Sequence, residues 1–490
     1  MKRTITTLIL TLFTITLSAQ SSFDACNFSQ TFYQGTAKAL GMGNALGAVG
    51  GDMTAICINP AGMGLYRSSE LTTTFELSHN YITSSYYGTE ANDDKTQFSI
   101  SNFGYVNSHQ RSNFKPLRYT QFCIGLTRTN DYNMHSFASG FNPTSSKIDD
   151  YLMQIDGYNP DELAEYFAYT VYPAWSTYLI DLDGQGHYTS PVPQGGINQS
   201  LDQEYRGRSE EWTFCYSANL YDRFFIGASL GITHLKRSGS SLYEESMPSN
   251  SPIETNFNSW SFIEEISSSA VGFNGKIGLI WIASPWLRVG AAFHSPTAYF
   301  FDESWQTQTE SLIRDSEDSF SHLVTRKSLS PYSSYEYLLI SPLKCMGSMA
   351  FVIGQQGMIS MDLEYINYGM ARFKADDYDY RSVNESIQED YGHTMNLRLG
   401  TEWRINDSYL RLGAGYYGSP LGLNKTDGSI KKASIGISLP AGESVTFDLA
   451  YELTYGKRHY TLYDAGSIGI EPVAQSQFRS VAMATLKLRF

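Results

Sequence analysis

Along several stretches of this chain, apolar and polar residues alternate one for one over about ten residues, the length a tilted strand needs to cross a bilayer. From Val445 the apolar positions are Val445, Phe447, Leu449, Tyr451 and Leu453, with Thr446, Asp448 and Glu452 between them. Met395, Leu397, Leu399, Trp403 and Ile405 alternate with Asn396, Arg398, Glu402 and Arg404, and Leu410, Leu412, Ala414 and Tyr416 alternate around Arg411. A period of two belongs to an extended strand with unlike faces. A soluble sheet with one wet face produces it too, so the spacing between segments has to discriminate. Short turns at Asn219 to Arg223, Ser284-Pro285, Gln355 to Gly357, Asn406 to Ser408 and Gly442-Glu443 alternate with long polar connections near 131–208, 239–257, 303–335, 374–392, 418–429 and 456–478. Short turns on one rim and long loops on the other are the plan of a transmembrane antiparallel β-barrel, with the short turns facing the periplasm.

The pattern predicts an all-β fold of about fourteen strands, an even number because both ends of the wall lie at the periplasmic rim. The predicted spans are 71–86, 96–107, 117–129, 209–218, 223–237, 268–283, 286–300, 338–354, 357–373, 393–405, 408–418, 429–439, 443–455 and 479–490. Trp281, Trp286, Tyr365, Tyr368, Trp403 and Tyr416 fall near predicted strand ends, where they suit either an interfacial girdle or an ordinary core. Within the longest connection, 131–208, Asn159-Pro160-Asp161-Glu162 reads as a helix start, with Leu163, Tyr166 and Phe167 as its apolar face and Pro173 as its end or kink. That loop either folds over the external mouth or ornaments the surface.

The first twenty residues assign the compartment. Lys2 and Arg3 precede the apolar run Leu8 to Leu17, and Ser18 and Ala19 follow, which is a signal peptide over 1–19. Cys26, behind Phe23-Asp24-Ala25, is too far from that run to be a lipoprotein acceptor. Beyond residue 20 no apolar stretch reaches the roughly 20 residues of a spanning helix. Cys26, Cys57, Cys123, Cys215 and Cys345 make an odd set without CxxC spacing, so neither a disulfide scaffold nor a metal site is indicated. The formal charge of −14 leaves no basic stripe for nucleic acid.

Residues 35–67 are Gly- and Ala-rich with little alternation. The Gly41-Met42-Gly43 run lacks the strand and the glycine spacing of a nucleotide-binding loop. Small residues that pack backbone closely suit a plug inside a lumen instead, giving a hatch over 20–68 and a barrel over 69–490. Gly35-Thr36-Ala37 through Gly51-Asp52, followed by Ile58-Asn59-Pro60-Ala61-Gly62, resembles the N-terminal hatch of FadL/TodX-type transporters, especially the Bacteroidetes versions. The resemblance continues in Phe293 to Thr297, Ser341-Pro342, Met346 to Ile353, Leu363 to Tyr368 and Gly415 to Pro420, covering the chain from about residue 35 to its end.

The resemblance implies a barrel of about fourteen strands in the bacterial outer membrane, plugged by the hatch. Long-chain fatty acids or other small hydrophobic compounds would enter from outside and leave sideways through the wall. Only Asn59, Pro60 and Ala61 match the hatch motif closely enough to carry over, and Phe490 resembles the terminal aromatic that signals assembly to the barrel assembly machinery. No HExxH, GxSxG or paired metal-ligand spacing is present, so no enzyme, cofactor or metal is expected. The acids Asp362, Glu364, Asp448 and Glu452 and the bases Arg398, Arg404, Arg411, Lys487 and Arg489 read as a charge-balanced lumen. The expected partners are membrane lipid and a hydrophobic ligand. The alternative function is a FadL-like carrier or scaffold for secreted surface proteins, which needs an external docking surface but no opening in the wall.

Overall fold

The computed structural model describes residues 21–490 except 112–115, 315–321, 423–426 and 464–468; the predicted signal peptide lies outside the described residues. The wall is a closed antiparallel barrel of fourteen strands. They are β1 (Glu70–Tyr86), β2 (Thr89–Gln110), β3 (Leu117–Asp131, resuming as Met134–Asn142), β4 (Ile197–Leu220), β5 (Phe224–Ser246), β6 (Phe257–Ser284) and β7 (Leu287–His294, resuming as Ala298–Arg314). The second half holds β8 (Leu323–Leu329, Ser333–Ile340 and Lys344–Ile353), β9 (Gly357–Asn367), β10 (His393–Ile405), β11 (Ser408–Tyr417), β12 (Ile430–Pro440), β13 (Val445–Tyr460) and β14 (Val473–Arg489). β14 closes the wall against β1, from Glu70↔Arg489 to Ser85↔Ala474.

The burial pattern is inside-out. Leu230, Ile277, Leu399 and Leu449 are exposed on the outer surface, whereas Glu76, Asp362, Arg398 and Asp448 are buried within. A soluble protein does not expose a continuous apolar belt of this kind, and a bilayer is the solvent that matches it. Among the described residues no helix is long and apolar enough to cross a membrane. Aromatic pairs mark the periplasmic rim, where Trp281 stacks on Phe224 at 6.2 Å, Trp286 on Phe351 at 6.3 Å and Phe490 on Tyr105 at 6.2 Å. These are the girdle contacts that the sequence pattern left open for Trp281 and Trp286.

Several predicted connections are strand. Residues 89–95, 239–246, 257–267, 303–314 and 456–460 all continue the ladder above the apolar belt. The reason is solvent. Once a strand leaves the bilayer both of its faces meet polar surroundings, so outward positions such as Asn92, Asp94 and Ser238 stop alternating with the inward ones. Over β9 to β12 the wall is low, so the outer rim is uneven.

Inside the wall, residues 21–69 form a compact plug built from α1 (Ser22–Ser29), α2 (Ala37–Gly41), α3 (Ala55–Ile58) and a 3-10 turn at Pro60–Leu65. The external loop between Asn142 and Ile197 carries α4 (Lys147–Gln154), a 3-10 turn at Pro160–Glu162, α5 (Leu163–Tyr166) and α6 (Val171–Ser176). Asn159 caps the turn as its spacing predicts, through a capping box with Glu162. Pro173, expected to end that helix, sits instead in the first turn of α6, where a missing N–H costs no hydrogen bond. Tyr166, expected on the apolar face, is exposed, while Leu163 and Phe167 are fully buried.

Candidate functional site in the lumen and wall

The plug is held by side chains from most of the barrel circumference. Asn59 is buried; its Nδ2 donates to Gly47 O at 2.7 Å and to Leu279 O of β6 at 3.3 Å, and its Oδ1 accepts from Ala61 N. Pro60 O accepts from Ser217 Oγ of β4 at 2.7 Å, and Ile58 O contacts His294 Nε2 at 2.8 Å. On the opposite side Ser360 Oγ donates to Ala45 O and Gly47 N donates to Asp362. The predicted hatch residues Asn59, Pro60 and Ala61 thus meet at one corner of the plug, against β4 to β6.

Glycines on the inward face of the wall make this close approach possible. A Cβ at Gly400 would strike Met42 O, one at Gly413 would strike Gly43 N, one at Gly227 would strike Pro60 and one at Gly278 would strike Asn59 Oδ1. Gly290 faces Gly47 O and Gly436 faces Gly41 in the same way. The plug's own glycines and the wall's glycines form two complementary surfaces, which the sequence analysis found only on the plug side. Inward glycines on strands that alternate well were the available signal.

Ion pairs complete the fastening. Lys487 Nζ bridges Asp52 of the plug and Asp448 of β13, both at 2.9 Å, and Arg411 continues the chain from Asp448 at 3.0 Å to Glu402 at 2.6 Å. Burial by itself raises the pKa of the Asp52 carboxyl, but Lys487 and Lys38 beside it and the Thr36 hydroxyl outweigh burial and hold it at about 2. Arg398 lies between Asp362 and Glu364, and Lys432 pairs with Glu452 at 2.9 Å. Arg404 and Arg489 depart from the expected lumen set. Arg404 reaches Asp407 at the turn, and Arg489 pairs with Glu70 at the rim with its side chain half exposed. Both lie at strand ends, where alternation no longer tells lumen from rim. Among the described residues no His, Cys, Asp and Glu group could hold a metal ion.

Among the described residues the ladder parts between β2 and β3. β2 pairs with β1 from Thr89 to Val106 but with β3 only from Gln110↔Tyr119 to Asn102↔Thr127. A bulge sits in β2 at Ser101, and the register of β3 on β4 shifts between Arg128 and Asn130. Above this point β3 follows β4 and leaves the edge of β2. The plug's own backbone fills the opening: Phe32 N donates to Thr129 O at 2.7 Å, Gln34 N to Arg128 O at 2.9 Å, and Ser101 Oγ to Gly35 O at 3.2 Å. Arg128 spans the gap to Ser99 Oγ at 2.8 Å. The outer faces of Phe98 and Ile100 place the gap at the level of the apolar belt.

The external loop seals the mouth above the plug. Ile148, Tyr151, Leu163, Phe167, Val171 and Leu179 join wall residues Tyr243, Trp260 and Phe262 in one apolar cluster that also takes in Leu462 and Tyr463 from the far side. Glu245 anchors the loop, accepting from Ser146 Oγ, Lys147 N, Gln199 Nε2, Tyr243 OH and Trp260 Nε1. Of the two readings of this loop, the cover over the mouth is the one the packing matches.

A transmembrane barrel of the outer-membrane type, with a plugged lumen and a parted ladder, is the class these features define. Known structures carry the same architecture over nearly the whole chain. The toluene transporter TodX of Pseudomonas putida aligns with 94% of this chain and 100% of its own at TM-score 0.55 and 13% identity. A Pseudomonas aeruginosa FadL homologue aligns over 94% and 100% at TM-score 0.59 and 12% identity, and the Ralstonia pickettii toluene transporter TbuX over 93% and 98% at TM-score 0.52 and 14% identity. No protein-family model and no curated protein sequence matches the chain. At such identities the likeness establishes the FadL/TodX-type fold.

Proposed function

We propose that this chain carries small hydrophobic compounds, long-chain fatty acids among them, across the outer membrane, entering at the outer mouth and leaving sideways between β2 and β3. The observation that carries this reading is the parted ladder at Asn102–Thr127, stoppered by residues 32–35 of the plug. In a bilayer an unpaired strand edge is costly, because no water is present to satisfy its N–H and C=O groups. A wall opened there and then patched by a separate segment makes sense for a door, and a scaffold for surface proteins needs none. Two structural neighbours are toluene transporters by name, which supports a hydrophobic cargo.

In this reading the Asn59–Pro60–Ala61 corner keeps the axial route shut while Thr31 to Gly35 withdraws. The test is a lock. Gln34 and Arg128 form an isolated antiparallel bridge, and opposed residues in such a pair have Cβ atoms about 5 Å apart. A Gln34→Cys/Arg128→Cys pair should abolish uptake of toluene and of a fatty-acid chain-length series when oxidised and restore it on reduction, with both single variants unaffected. Fatty-acid affinity should rise with chain length, at about 0.8 kcal/mol per buried methylene. Uptake that survives the oxidised lock would remove the lateral route. Loss of a surface protein from cells lacking this chain, without any uptake defect, would favour the scaffold.

A further inference from the structure

The inward faces of β3 and β4 set two thiols opposite each other. Cys123 and Cys215 are direct cross-strand partners, both buried and both free. Side chains opposed on one face of an antiparallel pair have Cβ atoms about 5 Å apart, and a disulfide spans about 4 Å between them. A small closure of the two side chains would join the sulfurs. The spacing of the cysteines in sequence does not show this pair, because the ladder joins residues about 90 positions apart.

Three features of the surroundings favour a bond here. The pair lies near the middle of an unbroken run from Tyr119↔Asn219 to Arg128↔Glu210, and the register shifts at both ends of that run. A slip of one residue would turn every inward side chain of β3 outward, and beyond Asn102↔Thr127 β3 has no β2 beside it to resist one. A covalent bond at one facing pair fixes the register. The sulfurs are also little engaged. Pro60 O, at the plug corner, takes its bond from Ser217 Oγ at 2.7 Å, whereas Cys215 Sγ lies 3.8 Å away from it, and a thiol is a weak donor. Finally, an outer-membrane barrel is assembled from the periplasm, a compartment where disulfides form and persist.

We propose that Cys123 and Cys215 form a disulfide that staples β3 to β4 during assembly, before the plug covers them. The oxidant is a periplasmic thiol–disulfide carrier in its disulfide form. One cysteine thiolate attacks a carrier sulfur, which gives a mixed disulfide and frees the carrier's other sulfur as a thiol. The second cysteine thiolate then attacks the first cysteine's sulfur, the Sγ–Sγ bond forms and the remaining carrier sulfur leaves. Two electrons and two protons pass from the cysteine pair to the carrier, which ends as a dithiol. The other cysteines lack such a position: Cys57 lies on the plug with its Sγ 3.6 Å from Glu211 Oε1, Cys345 is exposed on β8 opposite Phe293 and Tyr365, and Cys26 lies on α1.

The test counts thiols in the full-length barrel isolated from outer membranes and denatured in iodoacetamide, with or without prior reduction. Three alkylated cysteines are expected without reductant and all five with it, together with a peptide pair joined through Cys123 and Cys215 in the unreduced mass spectrum. The boiled protein should run faster on a gel without reductant than with it, because a closed loop of about 90 residues keeps the unfolded chain compact. Cys123→Ala and Cys215→Ala should each abolish that difference and leave four alkylated cysteines, whereas Cys57→Ala should keep it. Five alkylated cysteines in the unreduced wild type, or a link made through Cys57, would overturn the proposal. So would a Cys123→Ala protein that still runs faster without reductant. The wild-type count decides by itself if any variant fails to assemble.

Discussion

Asp448 and Leu449 are adjacent in sequence and lie on opposite sides of the wall, one buried against Arg411 and Lys487, the other exposed to lipid. Leu449→Arg should therefore destabilise the barrel by about 2 to 4 kcal/mol near the midplane, read as a lower midpoint in urea-induced unfolding in liposomes. An unchanged midpoint would put this residue outside the lipid belt. The wall glycines give a second prediction at the same scale. A side chain at Gly413 must collide with the plug backbone at Gly43, whereas Gly347 has open space beside its Cβ position. Gly413→Leu should loosen the plug at an overpacking cost of about 1 to 3 kcal/mol and raise ion conductance in planar bilayers. Gly347→Leu should leave conductance at the wild-type level. Equal conductance for both would mean that the plug is not seated by the wall glycines.

At the scale of elements, legibility follows the solvent around each strand. β10 was read from sequence at its observed bounds, His393 to Ile405, because lipid on one face and charged lumen on the other give it a clean period of two. The outer part of β2, Thr89 to Lys95, was missed because water reaches both faces there. The parting of β2 from β3 was invisible for another reason: each strand alternates normally up to the gap, and which neighbour it bonds to is a non-local property. β14 carries the prediction at this scale. Phe490 N donates to Ser69 O, and its ring lies exposed on Tyr105 at the rim. It makes little of the folded contact surface, so its deletion should lower the amount of assembled barrel while leaving the unfolding midpoint of what does assemble within about 0.5 kcal/mol of wild type. A large shift in that midpoint would make Phe490 a structural residue instead of an assembly signal.

For the whole molecule, closure of β14 on β1 removes the free edges from most of the wall. The protein should stay folded in dodecyl sulfate until heated, and unboiled and boiled samples should run at different positions on a gel. Identical migration together with recovery in a soluble periplasmic fraction would exclude the membrane barrel.

The fastening of the plug also sets an order in time. Ala37 N rests on Thr485 Oγ1 and Asp52 on Lys487, partners 448 and 435 residues further along the chain. The segment made first can be seated only when the strand made last is in place, so its buried Leu46, Met53 and Ile56 wait without their final partners throughout assembly. Contacts so distant in sequence form slowly. During that interval the plug is the part of the nascent protein most in need of a periplasmic holder.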